Sequence, residues 1–498
     1  MSVNLENVVP MRWPSGPLEI ARREKIAGFS PRVRQALERW HDPSALEFLR
    51  GSPVDCLVIA WAAGLSADAE QWRTAGPLIE AARKRNLSVM GWVDGTADHR
   101  QALAAAKTAG LTAVAIHGFQ GSADFPVIAW SERKDVPWDS AAPAVAIDGN
   151  VWPGVNITQG GGGAEAGPTN LPWLDSNGWY IQMARARLRA PLWVVFDPAG
   201  KGAIFSAQSY SNAIADSEVA GGRWLISLDD DFRASLAEGA APALQSWKQI
   251  ATTASFFRDH AEWKSYRSRG LMGVLSDFNG PDSDFSGELL NLMARRDLLF
   301  RVFWKSQAEA QPFTGLKAVL YADAAAPDPS LRRKVTAFVE QGGLLIAGPE
   351  WGAQGKPAPP DFPTQFDVRT LGKGRLAVGR EALSDPYQVA VETQFLLSHR
   401  NDLIKIYNAP SSGCTRFTGP AGEKKALVQC VSYADGGRGG GGGLRTIWIR
   451  DPFAKARLWS IGNDPVSIGV APSEEYTGME YHLPATAPRS YLALELEA

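Results

Sequence analysis

Val54-Asp-Cys-Leu-Val-Ile-Ala-Trp61, and then Leu87-Ser-Val-Met-Gly-Trp-Val-Asp94, are the two runs whose reading decides the fold. Both are short, almost continuously apolar and rich in branched and aromatic residues, so both read as strands buried on two faces. Between them, from Ser66 to Arg85, the apolar residues Trp72, Ala75, Leu78, Ile79 and Ala82 recur at helical spacing. Strand, helix, strand in that order is a parallel β/α unit.

The same grammar extends along the chain. Leu111 to His117, Ala144 to Asp148, Leu192 to Asp197 and Trp224 to Asp231 are apolar runs that end in a polar or acidic residue, and Thr96 to Ala109 is helical in pattern. In parallel sheets and barrels the carboxyl ends of the strands face the ligand. Asp94, His117, Asp148, Asp197, Asp229 and Asp230 are therefore the candidate functional residues. Phe125 to Trp130 is also strand-like, but the stretch leading to Ala144 contains Pro137 and is too short for a good helix, so the barrel is expected to be irregular there.

Residues 149–180 form a long insertion holding Trp152, four glycines at 160–163, and Trp173-Leu-Asp-Ser-Asn-Gly-Trp179. Loops of this length in compact domains are usually functional or disordered. The insertion reads as a wall of the active-site face, the alternative being a glycine-rich surface excursion. Fourteen of the 18 tryptophans precede residue 270, and Trp61, Trp92, Trp130, Trp152, Trp173 and Trp179 lie near strand-end polar residues. Indoles match the C–H faces of sugars, and carboxylates match their hydroxyls, which favours a carbohydrate ligand over the plainer reading of core filling.

Composition removes other classes. With 51 basic against 53 acidic residues the net charge is -2, without the basic excess of a nucleic-acid binder. Cys56, Cys414 and Cys430 have no paired spacing, so no zinc site is indicated and buried thiols are expected, a Cys414–Cys430 bridge staying open. No run approaches the about 20 apolar residues of a membrane span. A soluble, cytoplasmic protein is expected, with no cofactor, no metal and no membrane or nucleic-acid partner.

At 498 residues the chain is long enough for two or three cores. A second β/α series begins at Leu271, with strands at Leu271 to Asp277, Leu299 to Phe303, Leu316 to Tyr321 and Leu344 to Ala347, and helices at Gly287 to Arg296 and Ser330 to Gln341. After about residue 380 alternating strands take over, among them Ala426 to Tyr433, Thr446 to Ile449, Ala456 to Ile461 and Tyr491 to Glu497, where Leu492, Leu494 and Leu496 share one face. The expected architecture is a (β/α)8-type TIM barrel over 1–268, a flavodoxin-like α/β domain over 269–380, and an antiparallel β-sandwich over 381–498.

This domain order resembles that of the family 42 β-galactosidases. Leu316-Lys-Ala-Val-Leu-Tyr-Ala through Phe338-Val-Glu-Gln-Gly-Gly-Leu-Leu-Ile-Ala-Gly looks like the amidotransferase-like domain of that family, which the resemblance places in trimer assembly. The resemblance implies a glycosidase and a homo-oligomer, trimer or dimer. One departure stands out: the family's barrel uses an Asn-Glu pair after its fourth strand, and the first 270 residues contain no Asn-Glu. The barrel is then a glycosidase working through aspartates or a related protein that binds or assembles without cleaving.

Glycoside hydrolysis needs two carboxyl groups, about 5–5.5 Å apart for retention and about 6.5–9.5 Å for inversion. Asp230 or Asp229 is the expected nucleophile or base, and Asp148 or Asp175 the acid, with Asp197 a further candidate. Strand-end aspartates also cap helices, which is the plainer role for each. Trp61, Trp92, Asp94, His117, Trp152, Trp173, Asn177 and Trp179 are the expected sugar contacts. Glu132 is a rival acid, set beside Arg133 and Lys134 in what reads equally as a surface ion-pair cluster. Asp277-Phe-Asn-Gly-Pro-Asp-Ser-Asp echoes a calcium loop with its glycine out of register. Amidotransfer is excluded for the middle domain, because residues 271–380 contain neither the cysteine nucleophile nor the histidine it needs.

Overall fold

The computed structural model describes residues 5, 7–26, 29–119, 121, 123–156, 173–407, 412–419, 424–433, 446–484 and 491–498. The glycine runs at 160–163 and 436–443 and the Cys414 side chain lie outside the described residues. The chain divides into two units, Met1–Gly154 with Leu188–Lys264, and Val155–Arg187 with Ser265–Ala498.

In the first unit eight strands run side by side in one sheet: β1 (Pro10–Trp13), β2 (Cys56–Ala62), β3 (Ser88–Val93), β4 (Ala113–His117), β5 (Val127–Glu132), β6 (Val145–Asp148), β7 (Leu192–Val194) and β8 (Arg223–Trp224). Every neighbouring pair is parallel. Closure comes just past β8, where Met11 bridges Ile226, the Arg12 N–H donates to the Ile226 carbonyl at 2.8 Å, and the Ile226 N–H donates to Pro10 at 3.0 Å. A closed barrel leaves no edge strand to protect. β1 is absent from the sequence reading because it is only four residues long and is framed by prolines. Pro10 is tolerated as the first residue of its strand, where no ladder donor is lost.

Alternation decides which side chains fill the barrel. Cys56, Val58, Met90, Trp92, Ala113, Ala115, Ile128, Trp130, Ala144, Ala146, Trp193, Val195 and Leu225 belong to one buried cluster. Tryptophans on β3, β5 and β7 stand level with small alanines on β4 and β6, which leaves room for the indoles in the interior. The continuous helix expected over Ser66 to Arg85 is two helices, Ala67–Thr74 and Gly76–Lys84. Pro77 explains the break, since it lacks an N–H and is accommodated only in a first turn.

The expected irregularity around Pro137 is present. Arg133–Asp135 forms only a short 3-10 turn, and among the described residues no α-helix separates β4 from β5 or β5 from β6. The two connecting loops line an open pocket of about 880 Å³, flanked by Phe119, Phe125, Val136 and Trp138, among others.

The second unit contains a seven-stranded sheet. Its strands are β9 (Met272–Ser276), β10 (Phe300–Trp304), β11 (Ala318–Tyr321), β12 (Leu344–Ala347), β13 (Phe366–Leu371) and β14 (Gly374–Gly379), with the short Lys356–Pro357 strand at one edge. The order β10-β9-β11-β12-β14 is parallel throughout, and β13 then returns antiparallel. Helices Ser283–Arg295, Pro329–Glu340 and Pro386–Leu397 connect or follow these strands.

Two antiparallel sheets complete this unit, one six-stranded and one four-stranded. They share a core in which Phe417, Val428, Leu492, Leu494 and Leu496 from the larger sheet meet Ile404, Ile447, Ile449 and Tyr481 from the smaller. The alternation read in Tyr491 to Glu497 is therefore the inner face of a sandwich. The segment Val155–Arg187 belongs with this unit. Its helix Gly178–Arg187 is fixed there, with the Trp304 indole donating to the Met183 carbonyl at 2.9 Å and the Trp179 ring lying so close to Gly287 that a Cβ there would meet it at 3.1 Å.

Candidate functional site

Continuing the inward alternation by one step past the buried layer places Asp94 above Trp92, His117 above Ala115, Glu132 above Trp130, Asp148 above Ala146, Asp197 above Val195 and Ser227 above Leu225. These are the polar residues at the carboxyl mouth of the barrel. β6 and β7 are adjacent, with Ile147 level with Val194. Asp148, the last residue of β6, and Asp197, three residues past the end of β7, therefore stand side by side at one mouth.

Asp197 accepts a hydrogen bond from the Ser227 hydroxyl at 2.7 Å, one from the Ala199 N–H at 3.2 Å, and a longer contact from the Arg233 guanidinium at 3.4 Å. Burial works against its charge, but Arg233 and Arg12, aided by these donors, outweigh it and hold the carboxyl below the usual range. Asp148 goes the other way. Burial raises it and the Asp197 charge adds to the effect, while the Gly149 N–H at 2.7 Å, Lys201 and His117 offset only part. Two aspartates in one mouth thus differ in their readiness to carry a proton.

Asn150 holds this pair of strands together. Its side-chain amide donates to the Ile147 carbonyl at 2.6 Å and to the Val195 carbonyl at 2.9 Å, and its oxygen accepts from Arg133 at 3.0 and 3.1 Å. Arg12, buried, donates to Glu19 at 2.7 Å and to the Val58 carbonyl at 3.2 Å, and its guanidinium stands 4.9 Å from the centre of the Trp92 ring. Arg22 pairs with Asp94 at 3.3 Å. Arg12, Arg22, Asn150, Ser227 and Arg233 were not singled out from the sequence. Nothing local marks them, since they reach the mouth from a proline-framed strand, a helix or a point beyond a strand end.

The other sequence candidates have defined places. Asp229 is fully buried and caps helix Asp230–Ala237, accepting from the Phe232 N–H at 3.0 Å, the Tyr210 hydroxyl at 2.9 Å and the Phe205 N–H at 3.4 Å. Asp230 is gripped by both terminal nitrogens of Arg23 and accepts from the Gly200 N–H at 2.9 Å. Glu132 is exposed and pairs with Lys134 at 3.2 Å. The ring of His117 meets Trp130 edge-on at 4.9 Å, and Trp130 meets Trp92 at 3.8 Å.

Trp61 is directed at helix His99–Ala109, donating to the Ala102 carbonyl at 2.9 Å, so it does not line the mouth. Trp152 stacks on Phe205 at 3.9 Å and donates to Ser209 at 2.6 Å, bracing the loop that follows Asp197. Trp173, Asp175, Asn177 and Trp179 belong to the second unit, where Arg295 lies 4.9 Å from the Trp173 ring centre and Asn177 is fully buried. In the same unit Asp277 pairs with Lys305 at 2.8 Å. Among the described residues no group of three or more His, Cys, Asp and Glu side chains could hold a metal ion. No helix among them is long and apolar enough to cross a membrane.

No family model matches the chain. No curated protein matches it either. Solved structures do. The α-L-fucosidase isoenzyme 2 from Paenibacillus thiaminolyticus is similar with a TM-score of 0.51 at 10% identity, over 92% of this chain and 96% of that one. The exo-β-1,4-mannosidase Op5Man5 from Opitutaceae bacterium strain TAV5 is similar with a TM-score of 0.50 at 11% identity, over 79% of this chain and 96% of that one. The likeness is one of fold. Gan42B, a family 42 β-galactosidase from G. stearothermophilus, reaches a TM-score of only 0.41 at 9% identity, over 87% of this chain and 67% of that one, which is too loose to argue from. These structural neighbours are glycoside hydrolases.

Proposed function

We propose that the protein is a glycoside hydrolase in which Asp148 is the general acid and Asp197 its ionised partner. The observation that carries this reading is the pair itself: two carboxyls at the mouth, one ending β6 and one just beyond β7, the first raised by burial and by its neighbour, the second held down by two arginines. A protonated Asp148 gives its proton to the glycosidic oxygen as the bond to the anomeric carbon breaks. Asp197, as a carboxylate, either attacks that carbon, forming a glycosyl ester that a water deprotonated by Asp148 then cleaves, or takes a proton from the water that attacks the carbon directly. In both cases one water is consumed and the departing alcohol carries the proton from Asp148.

The bonds at Asp229 and Asp230 support a scaffolding role for both: the first caps a helix and the second, with Arg23, pins Gly200 in the loop after Asp197. His117, Asp94, Trp92 and Trp130 are read as the sugar-contacting floor. The order β10-β9-β11-β12-β14, which is 2-1-3-4 followed by a parallel fifth position, supports reading the middle sheet as flavodoxin-like and the whole chain as a relative of the family 42 enzymes with domains near 1–268, 269–380 and 381–498. The likeness to a fucosidase and a mannosidase supports the class and leaves the sugar open.

The test is a screen of nitrophenyl glycosides with the full chain, followed by Asp148→Asn and Asp197→Asn on whichever substrate turns over. Each variant is expected to lose at least about a hundredfold in kcat. Full activity in a folded Asp197→Asn protein would overturn the assignment, and no hydrolysis of any glycoside by the wild type would overturn the function.

A further inference from the structure

We propose that Arg233 is a positioning residue for Asp197: directly and through the Ser227 hydroxyl, it fixes the orientation and charge of that carboxylate. The inference rests on the reading of Asp148 and Asp197 as the working pair and says how the pair is kept unequal.

The geometry is a three-membered relay. Arg233 lies in helix Asp230–Ala237, the next helix after the barrel's last strand, and its terminal nitrogen donates to the Ser227 oxygen at 3.1 Å and reaches Asp197 at 3.4 Å. Ser227 in turn donates its own proton to Asp197 at 2.7 Å. With the hydroxyl proton committed to Asp197, the serine's lone pairs face Arg233, so the positive charge is relayed through an oriented dipole.

The side chain is an expensive one to keep for stability alone. Arg233 is 2% exposed, and its Nε and second terminal nitrogen make no hydrogen bond among the described residues. A buried guanidinium with unmet donors costs folding energy, and an apolar side chain of similar size would serve packing as well or better. The carboxylate it contacts is Asp197, whose side chain is 35% exposed and open to the mouth.

The rest of the surroundings leaves this role to Arg233. From β1, Arg12 also acts on Asp197, but its nearer partner is Glu19, at 2.7 Å. From the first helix of the barrel, Arg23 feels Asp197 but is clamped to Asp230. Asp148 opposes the Asp197 charge from β6, and Lys201 and His117 act on Asp148. Arg233 alone among these cations reaches Asp197 both directly and through a hydrogen-bonded intermediary.

The experiment is a pH titration of the Asp197 carboxyl by carbon NMR on the full chain labelled at aspartate, with the resonance assigned by its loss in Asp197→Asn. Arg233→Met is expected to raise the Asp197 midpoint by about one pH unit or more, the scale of losing a close opposite charge. Arg233→Lys is expected to restore most of that shift, and Ser227→Ala to raise the midpoint by less. On any glycoside that turns over, the acid limb of the kcat/KM profile should move by the same amount. An unmoved midpoint in folded Arg233→Met overturns the proposal. If that variant does not fold, an unmoved midpoint in folded Ser227→Ala overturns it instead. A wild type that hydrolyses nothing would sink the glycosidase reading while leaving this titration to be read on its own.

Discussion

Asp148 and Asp197 are the same side chain in different company, and their difference predicts a pH profile. Asp197 must be ionised and Asp148 protonated for the proposed chemistry. Activity should rise as pH climbs past the lowered Asp197 and fall as pH passes the raised Asp148, giving a bell whose window lies between the two groups. The check is kcat/KM against pH, and a profile flat from pH 3 to pH 9 would contradict it. Asp230→Asn makes the contrasting case. It weakens the hold on Arg23 and Gly200 without touching the proposed reacting pair, so its loss in kcat is expected to stay below the about hundredfold scale of a lost acid, base or nucleophile.

At the level of elements, β6 and the segment just after β7 carry the reacting pair, and Asn150 ties the two strand ends. Asn150 is buried, and it satisfies two carbonyls where the sheet ladder is ending. Asn150→Ala removes a donor from the Val195 carbonyl, leaves the Ile147 carbonyl with the Val195 N–H at 2.9 Å, and takes away the acceptor of two Arg133 bonds, so it should cost about 1–3 kcal/mol of stability. It should also lower kcat more than it raises KM, since the spacing of the two carboxyls depends on these strand ends. Urea unfolding and steady-state kinetics on one preparation would check both. Helix His99–Ala109 shows how much of an element is legible locally. Asp98 caps its first turn by accepting from Gln101, and Gly110 ends it at φ 73°, where only glycine is unstrained.

For the whole molecule two expectations follow. Asp297, itself in a left-handed conformation at φ 55°, lies with Asp402 among Leu271, Leu298, Leu299, Leu397 and Leu403. Burial, reinforced by the Asp402 charge, pushes its carboxyl from an ordinary 3.8 up to about 7. Between those values the folded chain holds a proton that the unfolded chain releases, so stability falls as pH rises through that window, and the penalty is complete above it. Asp297→Asn should therefore raise Tm at pH 8 and leave it unchanged at pH 3.5, asparagine being well suited to that backbone. A lower Tm at pH 8 would refute this. The second expectation is a homo-oligomer, trimer or dimer, assembled through the middle domain, whose sheet is complete although it lacks amidotransferase residues. Light scattering at micromolar concentration that returned the 53.7 kDa chain mass would refute it.

The chain's own pattern determined the β/α barrel, the parallel part of the second sheet, the closing antiparallel strands and the strand-end aspartates, because burial on two faces, helical spacing and two-residue alternation are written in adjacent residues. Tertiary structure alone decided the rest. It closed the barrel through Pro10–Trp13, sent Trp61 outward to a helix, joined Val155–Arg187 to the second unit, and gave Asp229 a helix to cap. It also brought Arg12 and Arg233 to Asp197 across 185 and 36 positions of sequence. A carboxyl's tendency to hold its proton is set by the charges and burial around it in space, and no local pattern records which distant arginine will stand there.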